Sequence, residues 1–239
     1  MRTPYNLNVQ PQCSTCKVKK AGWFCDTSSA TVGDIDTMKF TAVYPKGSVL
    51  FVEGESARGV FMLCSGRVKL TTSSSEGRTL IVGILEPGEV LGVSASVLNT
   101  PYEVSAETLE PAQVNFINRE DFMRLLSSHS DASMRAAQLL STTVQNAQRE
   151  IRSLGLSQTT SEKLARLILN WCEDRGEETP NGTRVQVLLT HEEIAQMIGT
   201  TRETVTRILS EFKRNNLLEV KGANFFVPES SGLHDIVTV

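Results

Sequence analysis

The sequence predicts an α+β fold with a β domain first, a long helix in the middle and a helical domain near the C-terminus. Three patterns lead to this prediction. Short apolar runs separated by glycine occupy residues 40–116, apolar residues three and four positions apart follow at 131–154, and two helix starts lie ten positions apart within 190–209. Each pattern is typical of a different kind of structure, so the chain divides into three parts.

The β domain is predicted from glycine spacing and strand composition. Eight of the 16 glycines lie between residues 40 and 116, and apolar runs of strand length fall between them at 60–64, 68–72 and 79–85. A β-barrel or a jelly roll fits this pattern better than helices do. Enzymes of the cupin type use a similar barrel, but their metal normally needs histidines. The three histidines, His129, His191 and His234, lie outside the barrel segment, which argues against such an enzyme.

The long helix predicts dimerisation. Its apolar positions form the seam of a two-stranded coiled coil: Ala137, Leu140, Val144, Ala147, Ile151 and Leu154. The alternative is a single helix packed on its own barrel. Gly155-Leu-Ser157 interrupts the pattern and is predicted to be a hinge, and Ser161 is predicted to cap the next helix, which runs through Trp171.

Residues 190–209 (THEEIAQMIGTTRETVTRIL) predict two short helices joined by a tight turn. Thr190 with Glu193, and Thr200 with Glu203, each match the capping-box pattern of a helix start. Gly199 lies where the first helix must stop and the chain must turn sharply. A predicted hairpin over residues 217–227, turning at 222–224, follows and adds a wing. The pattern is typical of a winged helix-turn-helix.

The second of these helices carries side chains of the types that hydrogen-bond to base edges. Arg pairs bidentately with guanine and Glu accepts from cytosine, so Arg202, Glu203, Thr206 and Arg207 suit base edges. Residues 200–216 hold four Lys/Arg against two Asp/Glu, a local charge of +2 within a chain of formal net charge −3. This predicts a small, targeted DNA contact with strong salt dependence. The alternative is an ordinary helical hairpin whose charges are solvated.

Composition limits the class of protein. A length of 239 residues with 40% hydrophobic residues suits two domains with ordinary cores. The first residues have no apolar signal segment and no apolar run approaches a membrane span, so we expect a cytoplasmic protein. Five cysteines in a chain without export predict metal binding, redox chemistry or buried thiols rather than a disulfide framework.

The chain resembles the family of the cyclic-AMP receptor protein and the fumarate-nitrate regulator (CRP/FNR), which are bacterial transcription factors. The motifs that carry the resemblance are GESARGVFMLCSGRVK at 54–69, PGEVLG at 87–92 and TRETVTR at 201–207. It implies a cysteine-containing N-terminal segment at 1–30, a cyclic-nucleotide-binding-like jelly-roll sensor domain at 31–129, a dimerisation helix at 130–155 and a winged helix-turn-helix at 156–239. It also implies a homodimer with double-stranded DNA and RNA polymerase as partners.

The resemblance assigns DNA contacts and makes the usual effector unexpected. It implies a palindromic TGTGA-like site, with Arg202 at the outer guanine, Glu203 and Arg207 at the inner G·C pair, and Thr201, Thr206 and Lys213 among the DNA-binding residues. Cyclic-nucleotide binders of the family hold ribose and phosphate with a Glu and an Arg, where this chain has Val93 and Val104. Since a phosphate would lack its charged partner, we expect no cyclic-AMP binding in the usual manner, and sensing of another small ligand stays open beside oxygen or redox sensing.

The N-terminal cysteines resemble those of family members that carry an oxygen-labile iron–sulfur cluster. Cys13, Cys16 and Cys25 supply three thiols, and neighbouring lysines favour their ionised form. The family's distant fourth ligand corresponds to Asn115, so we hypothesise that Cys64, on the neighbouring strand, replaces it in holding a 4Fe–4S cluster.

Other interpretations of the cysteines remain open. They are a structural zinc, a redox disulfide between Cys13 and Cys16, and no metal at all, and Cys64 and Cys172 also suit buried thiols. Without such a sensor the chain would be a constitutive DNA-binding regulator that is indifferent to any effector.

Overall fold

The computed structural model of the chain describes residues 5, 7, 9–17, 19–156, 159–229 and 232–237. Contacts divide the chain into two compact units, Met1–Gln145 and Asn146–Val239. The helices of the first unit are α1 (Ser29–Met38), α2 (Val93–Leu98), α3 (Arg119–Ser128) and the start of α4 (Ser130–Leu156), which continues into the second unit. Its strands are β1 (Phe40–Tyr44), β2 (Val49–Phe51), β3 (Gly59–Ser65), β4 (Val68–Ser73), β5 (Thr79–Leu85), β6 (Val90–Leu91), β7 (Ser105–Thr108) and β8 (Ala112–Asn118).

The first unit is a β jelly roll of two four-stranded antiparallel sheets, ordered β1-β8-β3-β6 and β2-β7-β4-β5. The predicted strands at 60–64, 68–72 and 79–85 are confirmed as parts of β3, β4 and β5. Side chains alternate along β3, as the period of two requires. Phe61 and Leu63 belong to a core cluster that also holds Val68 and Ala106 of the second sheet. Val60 and Met62 belong to a second core cluster, which includes residues of α1, α3 and α4.

The helix α4 starts on the barrel and then becomes fully exposed. Ala132 and Ala136 are buried in the second core cluster, and Leu139 and Leu140 pack against it. From residue 141 to residue 149 every side chain is exposed, including Val144 and Ala147 of the predicted seam. The prediction that Gly155 interrupts this helix is wrong, since α4 continues through it to Leu156. The side chain of Leu154 and residue Ser157 lie outside the described residues.

The second unit holds the helices α5 (Thr160–Arg175), α6 (His191–Ile198), α7 (Arg202–Arg214) and α8 (Leu233–Val237). Its sheet is ordered β11-β12-β10-β9, with β9 (Glu177–Thr179), β10 (Gly182–Gln186), β11 (Glu219–Lys221) and β12 (Asn224–Pro228). The predicted wing is confirmed as the hairpin β11–β12. Ser161 does not cap α5, because Thr159 does so by accepting the Glu162 N–H. Ser161 lies inside the first turn.

The two helices α6 and α7 have the predicted order, with one cap displaced. Thr190 and Glu193 form the predicted capping box, and Gly199 ends α6 in the left-handed conformation at φ 65°. The predicted box of Thr200 with Glu203 is wrong. The N–H of Thr200 bonds to the Ala195 carbonyl, so Thr200 still closes α6, and Thr201 caps α7 by accepting the Thr204 N–H.

Membrane insertion through a helix has no support in the described part of the chain. Every helix there falls short of the combined length and apolar character that crossing a bilayer demands.

Candidate functional site

The helix α7 has one buried and one exposed face. Val205, Ile208, Leu209 and Phe212 are buried, at spacings of three and four that define the inner stripe of an amphipathic helix. Thr201, Arg202, Glu203, Thr206, Arg207 and Lys213, which are the residues assigned to DNA, are all exposed. The structure therefore brings the six predicted residues to the solvent side of one helix and its cap.

Hydrogen bonds and charges within this exposed surface differ from residue to residue. Arg207 lies 3.7 Å from Glu211, and both side chains are largely exposed, so the pair is weak and the guanidinium remains available. The Thr206 hydroxyl donates to the Arg202 carbonyl at 2.9 Å. Its proton is thus engaged within the helix, and its methyl group and an oxygen lone pair stay accessible.

Sequence reasoning missed His191, the first residue of α6. Its Nδ1 lies 2.8 Å from the Thr206 Oγ1, which places the ring beside the exposed surface of α7. Burial lowers the pKa of His191, and the positive charges of Arg202 and Lys213 lower it further. Residues 191 and 206 lie on different helices, so no local pattern signals this contact.

A second site is built where the N-terminal segment packs on the barrel. Phe24 is 1% exposed and its ring packs on Phe122 with 5.9 Å between centroids. The buried amide of Gln113 accepts from the Gln10 N–H at 2.8 Å and donates to the Gln10 carbonyl at 2.7 Å. Because this side-chain amide bonds to both the N–H and the carbonyl of Gln10, it fixes the position of the N-terminal segment there.

Four cysteines of this segment and of β3 line one cavity. They are Cys13, Cys16, Cys25 and Cys64, and the cavity wall also contains Trp23, Gly88 and Asn115. The Asn115 amide nitrogen lies 3.2 Å from the Cys64 sulfur and 3.7 Å from the Cys13 sulfur. The Asn115 carbonyl accepts from the Thr41 hydroxyl at 2.8 Å, which orients the amide toward the two thiols. The prediction that the strand of Cys64 lies next to the strand of Asn115 is confirmed by the pairing of β3 with β8.

The position of Cys64 depends on an irregularity in β3. Met62 pairs with Asn115 and Leu63 with Val114, but the next pair joins Ser65 with Gln113. Cys64 is therefore an extra residue with no direct partner on β8, which is a β-bulge, and bulges redirect side chains. Here the sulfur lies on the Asn115 side of the sheet, toward the N-terminal segment.

A buried ion pair adjoins Cys13. The Lys39 side chain is 4% exposed and its Nζ lies 2.9 Å from Asp36 Oδ1, 2.9 Å from the Pro11 carbonyl and 3.5 Å from the Cys13 sulfur. Asp36 also accepts the backbone N–H of Cys13 at 2.6 Å and of Ser14 at 3.0 Å. Burial raises the pKa of Asp36, but these hydrogen bonds outweigh it, so the net pKa is lowered and the carboxylate stays ionised.

Burial keeps several of the thiols protonated. It raises the pKa of Cys25 to about 11 and that of Cys64 to about 12, and the other thiols add to both shifts. Burial also raises the pKa of Cys13, although the Lys39 charge opposes this shift. Any metal that takes these sulfurs as thiolates must therefore displace protons on binding.

The arrangement differs from that of a mononuclear metal site. In the part of the chain that the structure describes, no three His, Cys, Asp or Glu side chains are placed to hold a single metal ion. All five cysteines are free thiols. The four sulfurs that share the cavity surround it, and Cys172 lies on α5 in the other unit.

The two positions that hold a cyclic nucleotide in the resembling family are apolar and packed. Val93 is 5% exposed and belongs to the core cluster that also contains Val60 and Met62. Val104 packs against the core cluster between the two sheets. Neither position offers a charge to a ribose or a phosphate.

Comparison with known families agrees with this architecture. A family model of the cyclic nucleotide-binding domain matches residues 41–129, and a model of the Crp-like helix-turn-helix domain matches residues 162–236. The chain belongs to the CRP/FNR family of transcription regulators. Its second domain is a helix-turn-helix DNA-binding domain, and the proteins to which this CRP/FNR chain is similar are regulators rather than enzymes.

Two curated relatives and one solved structure illustrate the family. The Global nitrogen regulator of Synechocystis sp. is 28% identical over 179 residues, covering 74% of this chain and 79% of the relative. The CRP-like cAMP-activated global transcriptional regulator of Mycobacterium tuberculosis is 22% identical over 214 residues, covering 90% and 95%. The structure of a CooA mutant from Carboxydothermus hydrogenoformans has a TM-score of 0.75 at 22% identity, covers 89% of this chain and 92% of that chain, and shows the shared fold.

The contact between Trp23 and Gly88 yields a test of the cysteine cavity. A Cβ at Gly88 would collide with the Trp23 ring, whereas a Cβ at Gly77 meets nothing within 4 Å, and both glycines have positive φ. Gly88→Ala and Gly77→Ala share the backbone strain, so we expect Gly88→Ala to lower the free energy of unfolding by a further 1–3 kcal/mol, roughly the cost of overpacking. Urea unfolding followed by Trp23 fluorescence, with Trp171→Phe in both variants, measures the difference. Equal stability and equal emission wavelength would contradict the contact.

Proposed function

We propose that this CRP/FNR regulator binds a palindromic TGTGA-like DNA site as a homodimer and that its N-terminal cysteines sense oxygen or redox state. One observation gives the main support for the proposed DNA binding. The exposed residues of α7 include Arg202, Glu203 and Arg207, and the buried stripe behind them orients the helix so that they face away from its domain. RNA polymerase is the further partner that the family resemblance implies.

The proposed base contacts follow from side-chain chemistry. The Arg202 guanidinium suits the O6 and N7 atoms of the outer guanine, and Glu203 suits the N4 amino group of the inner cytosine. Arg207 lies four residues after Glu203 on the same helix, so both can address the inner G·C pair. Thr201 is the N-cap of α7 and Lys213 lies in its last turn. From these positions they would contact the phosphate backbone, and such contacts position a helix on DNA.

Replacing Glu203 by Ala tests the base assignment. Loss of the carboxylate removes an acceptor for cytosine, so we expect the preference at the inner pair to fall by 1–3 kcal/mol, roughly the value of one good base contact. Fluorescence anisotropy with duplexes substituted at that pair measures it. Glu192→Ala, on α6, is the matched control because it removes an exposed carboxylate from the neighbouring helix. Unchanged selectivity in Glu203→Ala would refute the assignment.

The proposed dimer rests on the exposed stripe of α4. Val144 is 56% exposed and Ile151 71%, an unusual exposure for large apolar side chains on one helix. The spacing of seven between Val144 and Ile151 is that of a coiled-coil seam. A second copy of the same helix covers such a stripe symmetrically and gives two copies of α7 for the two halves of a palindrome.

Val144→Glu tests the dimer. A carboxylate at the seam would meet its own copy, and burial of an unpaired charge costs several kcal/mol. We expect sedimentation velocity to show a monomer where the unaltered chain is a dimer, with loss of affinity for the inverted repeat. Val82→Glu changes a valine that is 43% exposed on β5 and should leave the dimer intact. A dimer that persists in Val144→Glu would mean that α4 pairs differently or packs only on its own barrel.

The four cysteines around the cavity match in number and type the thiolate ligands that a 4Fe–4S cluster takes. Four thiols surround the cavity, the Lys39 ammonium opposes their negative charge when ionised, and the Asn115 amide donates toward two of them. Donors of this kind stabilise thiolate ligands. Cys13, Cys16, Cys25 and Cys64 would be the four ligands of a 4Fe–4S cluster. Cys64 would replace the family's distant fourth ligand, whose position is occupied by Asn115 in this chain. Such a cluster supplies sensitivity to oxygen when bound.

Cys64→Ser tests the fourth ligand. We expect protein prepared anaerobically to contain iron and sulfide with visible absorption, and the variant to lose most of both. Cys172→Ser removes a thiol from α5 and is the control that keeps them. Adding Asn115→Cys to Cys64→Ser returns a thiol to the neighbouring strand and should restore iron. Full iron in Cys64→Ser refutes its role, while zinc, a Cys13–Cys16 disulfide or metal-free protein refutes the cluster.

A path from the cysteines to α4 supports the sensing proposal. The Arg135 guanidinium of α4 bonds to the Asp26 carboxylate at 3.0 Å and to its carbonyl at 3.2 Å, directly after Cys25. Asp131 of α4 accepts the Ser28 N–H at 2.8 Å and the Thr31 hydroxyl at 2.8 Å. A change at Cys25 would thus act on the first turns of the dimer helix and favour one arrangement of the two reading helices. DNA binding that is indifferent to oxygen would indicate a constitutive regulator.

A further inference from the structure

The hydrogen bonds of its partner Thr206 favour one tautomer of His191. The Thr206 hydroxyl has one proton and donates it to the Arg202 carbonyl, so toward His191 it can only accept. The hydrogen on the imidazole therefore sits on Nδ1, 2.8 Å from Thr206 Oγ1. Nε2 then carries the lone pair, and in the part of the chain that the structure describes it has no hydrogen-bond partner. Protonation of the ring would add a donor at Nε2 without breaking the contact to Thr206.

The surroundings of His191 oppose that protonation in the free protein. The ring is half-buried, and the charged groups of α7 that face it are Arg202 and Lys213, both cationic. On its own helix, Glu193 is engaged in the capping box with Thr190, and Glu192 is exposed. Burial first, then Arg202 and Lys213, lower the pKa of His191 from its ordinary value. The free protein thus holds a neutral imidazole at neutral pH.

DNA reverses the sign of the charge near this ring. Arg202, Thr206 and Lys213 are the residues that the proposed function assigns to DNA, and His191 is coupled to all three by a hydrogen bond or by charge. A duplex held against α7 brings a row of phosphates, each with a full negative charge. The anionic oxygens favour imidazolium, and a protonated histidine donates a charge-assisted hydrogen bond to them.

We propose that His191 takes up a proton from solvent at Nε2 when α7 engages DNA, and that the resulting imidazolium donates to a backbone phosphate beside the reading helix. Each dimer then gains two phosphate contacts whose strength depends on pH. The inference rests on the proposed function, because it needs α7 to face DNA, but it adds a contact residue outside α7 and a proton to the binding reaction.

The sign of the pH dependence follows from linkage. DNA raises the pKa of His191 above the lowered value in the free protein, so the complex binds more protons than its parts. Affinity for DNA therefore rises as pH falls between the two pKa values, by at most about tenfold per pH unit for each histidine. Above the pKa in the complex the effect vanishes, because the ring is neutral in both states.

The test measures affinity for an inverted-repeat duplex between pH 6 and pH 8.5 at constant ionic strength. We expect the dissociation constant of the unaltered chain to fall as the pH is lowered, and that of His191→Gln to remain nearly constant. Glutamine keeps a neutral donor near Nε2 but cannot gain a charge. His234→Gln, on α8, is the matched control and should retain the pH dependence of the unaltered chain. A flat profile in the unaltered chain, or an unaltered slope in His191→Gln, would overturn the proposal.

A second measurement separates a phosphate contact from an indirect effect. If each imidazolium contacts one phosphate, the slope of log affinity against log salt should be steeper at pH 6 than at pH 8.5, by about 0.9 per protomer. The slope of His191→Gln should not change with pH. Equal slopes at both pH values in the unaltered chain would refute the phosphate contact. Sequence preference measured at pH 8.5, where the ring is neutral, reports on the proposed function independently.

Discussion

Burial of one stripe of α7 is the constraint on which the DNA-binding domain depends. Val205, Ile208, Leu209 and Phe212 each lose most of their exposure, and burial of such side chains contributes about 1.5–3 kcal/mol apiece. A helix held along that stripe cannot rotate about its axis without exposing it. The orientation of Arg202, Glu203 and Arg207 is thus decided by the buried side of the helix, opposite to the exposed side on which these residues lie.

Buried polar groups have the corresponding role in the first unit. Gln113 and Asn115 are each 1% exposed on β8. The Gln113 amide bonds to Gln10 of the N-terminal segment, and the Asn115 amide bonds to Thr41, Cys64 and Cys13. Unsatisfied amides in such positions would be costly, so the segment and the strand stabilise each other. The Asp36–Lys39 pair adds hydrogen bonds to the Cys13 loop. These contacts turn a polar, glycine-poor stretch of chain into one wall of the cysteine cavity.

The long helix α4 packs on the barrel in its first turns and is exposed further along the chain. Its first turns bury Ala132 and Ala136 in the core and bind the segment after Cys25 through Arg135 and Asp131, while residues 141–149 are all exposed. Packing on its own barrel therefore describes the first turns of the helix, and the proposed coiled coil concerns the exposed part that follows. Val144, Ala147 and Ile151 of the predicted seam are exposed and lie in this later part.

The amino-acid sequence by itself determined the features that depend on neighbours a few residues away. Strand runs, the seam of α4, the Thr190 capping box, the turn at Gly199 and the exposed residues of α7 all follow from a local period or a local hydrogen bond. The N-caps of α5 and α7 differ from the predicted residues, because several Thr and Ser residues near each helix start can serve as the cap. The backbone conformation at the helix start selects one of them. What only the tertiary structure decided is which distant groups meet. The register of β3 against β8 and its bulge bring Cys64 to Asn115, and the packing of α6 against α7 brings His191 to Thr206. Such contacts depend on how whole elements pack, and a periodic pattern contains no information about that.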